Sequence, residues 1–83
     1  MNNDFEDIQQ SRYEINEMVT QLLKQRRLEK GISMGLLSKL AGIDQGHISR
    51  IESGVKKHYT FGILAKLFVA LDIRFSEIDK LLE

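Results

Sequence analysis

Residues Gly31 to Gly54 read GISMGLLSKLAGIDQGHISRIESG, and two short helices with a turn between them are legible in this run. Ser33 is of the type that caps a helix N-terminus, since its hydroxyl accepts an orphan first-turn amide. Ile32 and Leu37 stand at the spacing of a hydrophobic staple around it. The helix it opens runs to about Ala41. Gly42 is free to take a positive φ. Asp44 then caps another helix, with Ile43 and Ile48 as the second staple pair. That helix turns Ile48 and Ile51 to one side and ends at Gly54. A pair of short helices across a tight, glycine-containing turn is a helix-turn-helix unit, here spanning Ser33 to Glu52.

Upstream, Ile15, Met18, Val19, Leu22 and Leu23 recur at helical spacing and predict a long first helix from Ser11 to Lys30, stopped by Gly31. Downstream, Val55 to Tyr59 form a basic loop. Thr60 caps a fourth helix with Tyr59 and Leu64 as its staple. The stripe of Phe61, Leu64, Leu67, Phe68 and Leu71 is broad enough for central core, and Asp72 marks its end. Ser76 with Asp79 three residues on predicts a capping box for a terminal helix containing Ile78, Leu81 and Leu82. Proline is absent and β-branched residues are sparse, so the fold class is all-α with five helices and no strand. An 83-residue chain has room for one core. The folded domain is expected over residues 15–83, with residues 1–14 an N-terminal extension frayed to about residue 10.

Composition removes several kinds of chemistry. The chain has no cysteine, which excludes disulfide scaffolds, thiol nucleophiles and cysteine-based zinc sites. The two histidines, His47 and His58, have no supporting carboxylate cluster, so no metal site is expected. No nucleophile–base pairing, phosphate-cradling glycine loop or acid pair on one helix face occurs, and the reading is a non-enzyme without cofactor. No apolar run approaches the ~20 residues of a membrane span. Met1 to Asp7 are polar and acidic, unlike a signal peptide, so the expectation is a cytoplasmic protein with no membrane partner.

Net charge is zero, yet it is segregated. Lys24 to Lys57 hold eight Lys or Arg against three acids, a net of +5, whereas residues 1–23 carry −4 and residues 58–83 carry −1. A basic middle between acidic ends predicts one positive face. An α-helix fits the DNA major groove, where each base pair presents its own donors and acceptors, while the preceding helix braces it. The third helix offers Gln45 and His47 on its first turn, then Ser49 and Arg50. Gln45 is suited to a bidentate pair with adenine, and Arg50 to guanine or a phosphate. Gly46 costs about 1 kcal/mol of helix propensity and permits close backbone approach. Lys39 on the second helix is a candidate phosphate contact.

The run from Gly31 to Gly54 resembles the Xre and phage-repressor (Cro/C1-type) family, through Gly31, Leu37, Gly42 and above all the Ile, Ser, Arg, Ile, Glu, x, Gly ending at Ile48 to Gly54. The resemblance spans roughly Val19 to Ile78. It implies a five-helix, lambda-repressor-like domain that binds double-stranded operator DNA as a two-fold dimer. By the same resemblance Gln45, Gly46, His47 and Arg50 fall where bases are touched, and Ser33, Lys56, Lys57 and Thr60 near positions that touch phosphates. Arg27 and Glu52 fall where a buried ion pair braces the motif. Two positions depart from the pattern: Met34 stands where a polar phosphate clamp is usual, and Ser38 where a small alanine is. One such unit reads few bases, so a homodimer is expected. Its interface is expected among Phe68, Ile73, Phe75, Ile78, Leu81 and Leu82, with Phe5, Ile8 and Tyr13 packing on the partner or on their own chain. The leading reading is a transcriptional regulator, a repressor acting by occupancy. The alternatives are an antitoxin or restriction-controller protein with its own protein partner, or an interaction module that has lost DNA binding.

Overall fold

The turn glycines and the caps of the second, third and fourth helices adopt the conformations that the sequence signals. The structure, a computed structural model, describes residues 4–55 and 59–81, so Lys56, Lys57, His58 and Leu82 lie outside the described residues. The described residues form α1 (Asp4–Glu29), α2 (Met34–Ala41), α3 (Gln45–Glu52), α4 (Phe61–Ala70) and α5 (Ser76–Leu81), with no strand among them. Ser33, Asp44 and Thr60 cap α2, α3 and α4, their side-chain oxygens accepting from the Leu36, His47 and Ile63 amides. Gly42, at φ 68°, turns the chain between α2 and α3, a conformation costing an L-residue about 1–2 kcal/mol.

Four helices and two connections supply the core. Leu37 and Ala41 of α2, Ile48 and Ile51 of α3, and Leu67 and Phe68 of α4 meet Val19 and Leu23 of α1, with Ile43, Leu71 and Ile73 closing the gaps. Both staple pairs of the helix-turn-helix contribute, since Ile32 packs against this core beside buried Leu37, Ile43 and Ile48. Ser38 resolves its own polarity: its hydroxyl donates to the Ile43 carbonyl across the turn, so a buried-edge hydroxyl becomes a tie between α2 and the start of α3.

Two expectations are corrected at the ends. The first helix begins at Asp4, not Ser11, and residues 4–10 are helical rather than frayed. Glu and Gln favour helix, no Gly or Pro interrupts, and Asp4, Glu6 and Asp7 place negative charge at the positive end of the helix dipole. Yet the buried side chains of α1 begin only at Val19. The fifth helix is capped differently as well: Glu77, not Asp79, reaches back, its carboxylate accepting the Arg74 amide at 2.9 Å. Between α4 and α5, Asp72 adopts φ 55°, and the Ile73 amide closes onto the Phe68 carbonyl at 2.9 Å, the pattern of a helix ended by a left-handed residue.

Candidate nucleic-acid interface

The short helix α3 has two unlike faces. Ile48 and Ile51 are each 1% exposed, whereas Gln45, Ser49 and Arg50 are exposed and Gly46 and His47 half-buried. Asp44 sets the start of the outer face, its Oδ2 accepting the His47 amide at 3.2 Å. Arg50 lies one turn along, but its head folds back. A Cβ on Gly46 would stand 3.3 Å from Arg50 Nη1 and 2.9 Å from Asp44 Oδ2. The bare glycine therefore leaves the space in which the guanidinium reaches the first turn. His47 is the least available of these side chains, because its Nε2 is covered without a hydrogen-bond partner.

Gly35 is a site residue that sequence reasoning missed. Gln45 lays its amide across the start of α2, where a Cβ on Gly35 would be 3.4 Å from Gln45 Oε1 and 3.8 Å from Ser33 Oγ. Gly35 thus lets the Gln45 side chain lie against α2. The only sequence signal was a glycine near the N-terminus of a helix whose other residues favour helix. Met34, where a polar clamp is usual in the family, instead packs its side chain against the core.

Behind α3 stands the Arg27–Glu52 pair. Arg27 Nε donates to Glu52 Oε2 at 2.6 Å and Nη2 to Oε1 at 2.9 Å, while Nη1 donates to the Ile32 carbonyl at 2.8 Å. Both residues are buried, at 8% and 9% exposure. One guanidinium therefore joins α1, the loop before α2 and the end of α3. The Glu52 hydrogen bond, outweighing burial, raises the Arg27 pKa and holds it charged.

The candidate phosphate contacts divide. Lys39 is exposed on α2. Ser33 Oγ and Thr60 Oγ1 are occupied as caps, accepting at 3.0 Å and 3.2 Å, which leaves their hydroxyl protons to donate outward. Lys56 and Lys57 fall outside the described residues. The basic middle segment is less free than its count implies. Arg27 is internal, Arg26 pairs with Glu77 and donates to the Asp72 carbonyl, and Lys30 pairs with Asp72 at 2.8 Å. These pairs fasten the end of α1 to the α4–α5 connection and to α5.

Among the residues expected at a dimer interface, Phe68 and Ile73 are corrected to core, at 1% and 6% exposure. Helical periodicity marks an apolar face but cannot distinguish a chain's own core from a partner. Phe75 tilts onto Phe68 with centroids 4.7 Å apart and stacks on Phe61 at 5.6 Å. Ile78 packs partly on the core, and Leu81 is 41% exposed.

A capped reading helix with a free polar face, an apolar back and a brace locked by a buried ion pair defines a helix-turn-helix domain of the Xre and phage-repressor type, a class of DNA-binding transcription regulators. The profile of the Helix-turn-helix family matches residues 23–78, and the chain belongs to that family. It is similar to the HTH-type transcriptional regulator SinR of Bacillus subtilis (strain 168), at 34% identity over 56 residues that cover 68% of this chain and 50% of the relative. The same figures hold for SinR of Bacillus licheniformis. The chain thus spans about half the length of the curated relatives it matches. The crystal structure of SinR, the master regulator for biofilm formation, in complex with DNA superposes with a TM-score of 0.66 at 31% identity, covering 78% of this chain and 98% of that one.

Proposed function

We propose that this chain is a sequence-specific, cytoplasmic DNA-binding transcription regulator that represses by occupying a palindromic operator as a homodimer. The observation that carries the reading is the two-faced α3, with Gln45 and Arg50 outward over Ile48 and Ile51 at 1% exposure. In the major groove Gln45 pairs with adenine and Arg50 with guanine, and Ser49 and His47 flank them. Ser33, Lys39, Thr60 and the loop lysines Lys56 and Lys57 grip phosphates and set the register, without reading sequence. The amides opening α4 add a helix N-terminus to that grip. Two copies place two such helices on half-sites about 34–36 Å apart, and bound DNA is closed to transcription. The DNA-bound SinR structure lends support from a relative of the same fold.

Selection of bound duplexes from a random pool tests this. A recurrent two-fold sequence is expected, bound with a steep salt dependence. Arg50→Ala and Gln45→Ala are each expected to lose ~1–3 kcal/mol of discrimination at one base position per half-site. Recovery of no preferred sequence, or the same sequence and affinity from both variants, refutes the reading.

A further inference from the structure

The basic segment from Lys24 to Lys57 contains three acids, Glu29, Asp44 and Glu52. Glu52 is engaged by Arg27, and Glu29 lies 3.8 Å from Arg26. Asp44 is exposed and makes no ion pair among the described residues, at the tip of the helix assigned to bases. Capping alone does not call for a charge there, since Ser33 and Thr60 cap α2 and α4 with neutral hydroxyls. A carboxylate among DNA phosphates is repelled unless it meets a donor.

The cap engages one oxygen. Asp44 Oδ2 accepts the His47 amide at 3.2 Å, and a carboxylate has two oxygens that accept and never donate. Asp44 Oδ2 and Arg50 Nη1 straddle Gly46, 2.9 Å and 3.3 Å from the place a Cβ would take. An acceptor-only group and a donor-only group therefore converge over the first turn without pairing with each other. Base edges sort by that pattern. In the major groove a G·C pair offers two acceptors, guanine N7 and O6, and then the cytosine N4 amine, whereas an A·T pair sets its amine between two acceptors. A guanidinium fork with a carboxylate beside it matches the first order and not the second.

We infer that Asp44 is a specificity-determining residue, its carboxylate taking the cytosine amine of the G·C pair whose guanine Arg50 reads. This rests on the base-reading assignment above and adds a residue that selects by rejection, because any edge that turns an acceptor towards Asp44 is disfavoured.

Asp44→Asn and Asp44→Ser test it, because both residues cap as well as aspartate. In the asparagine variant the amide oxygen takes the cap and the other head atom becomes a donor. Urea midpoints are expected to stay native in both. At the pair whose preference changes in Arg50→Ala, duplexes carrying each of the four base pairs are titrated against every variant. The preference for G·C is expected to fall about tenfold in both Asp44 variants, while binding to a duplex of unrelated sequence strengthens at low salt with the loss of a negative charge. An intact G·C preference, loosening at a pair other than that of Arg50, or a preference lost only in step with stability would each overturn the inference. If the native chain selects no sequence, the base-reading assignment falls and the inference with it. If it selects a sequence that both Asp44 variants share, the inference alone falls.

Discussion

Replacing Glu52 by alanine leaves Arg27 in place with two of its three hydrogen bonds gone. Arg27 is 8% exposed, and its guanidinium keeps only the Ile32 carbonyl at 2.8 Å. A buried ion pair contributes little over an apolar pair, because desolvation offsets its Coulomb attraction, but breaking one by removing a partner costs ~3–5 kcal/mol. A domain of this size has a total stability of ~4–12 kcal/mol at ~0.05–0.15 kcal/mol per residue. Glu52→Ala is therefore expected to consume at least about a quarter of it, lowering the midpoint by ~12–40 °C at ~4–8 °C per kcal/mol. Urea denaturation followed by circular dichroism measures the loss, with an unchanged m-value marking a true stability effect. The apolar double variant Arg27→Met/Glu52→Leu is the control. It strands no charge and is expected to recover most of the loss, short of ~1 kcal/mol for the Ile32 carbonyl bond. A loss under 1 kcal/mol for Glu52→Ala, or a double variant as unstable as the single, would refute the reasoning.

Two further outcomes follow from the same geometry. The Lys30 hydrogen bond and charge hold Asp72 below its usual carboxylate range, and the Arg74 amide, then Arg26, do the same for Glu77; both groups favour the folded state above their unfolded values and lose that contribution as pH falls through their folded ones. Thermal melts from about pH 5 to 2 are expected to show a smaller acid drop for Asp72→Asn, which keeps the left-handed turn, and an equal drop in both proteins would count against the Lys30 contact. Gly46→Ala gains up to ~1 kcal/mol of helix propensity but pushes a methyl group against Asp44 Oδ2 and Arg50 Nη1; on the proposed reading the expected result is near-native stability with altered preference at the base assigned to Arg50, and an unchanged selected sequence would show that the guanidinium does not work from the first turn.

What was legible in the sequence is local. Ser33, Asp44 and Thr60 announce their helices because a cap needs only a side-chain oxygen two or three residues from the amide it satisfies. Gly42 announces the turn because φ > 0 is a property of one residue. The inward isoleucines of α3 follow from helical periodicity alone. What was not legible depends on partners far along the chain. Arg26 and Lys30 look like free cations until Glu77 and Asp72 arrive beside them from more than forty residues away. Phe68 and Ile73 look like surplus apolar surface until the core closes over them. Amphipathic pattern alone places the start of α1 too late. Residues 4–10 form one through propensity and end charges while burying nothing within their own chain.

The division between stability and reading runs through α3 itself. Everything that fixes its orientation attaches to its ends or its back: the Asp44 cap at one end, Glu52 gripped by Arg27 at the other, and Ile48 and Ile51 in the core between. Ser38 adds a tie from α2 across the turn. None of these contacts uses the side chains of Gln45, Ser49 or Arg50. Surface changes away from caps, cores and buried pairs usually shift stability by no more than about 0.5 kcal/mol. Exchange of those three residues is therefore expected to leave unchanged how firmly the helix is held, so that any change in DNA preference on exchange reports on reading alone. His47 is the exception, since its covered Nε2 couples it to the interior. Replacing it is expected to move stability and sequence preference together, the behaviour that distinguishes a wedge between helix and body from a free reading group.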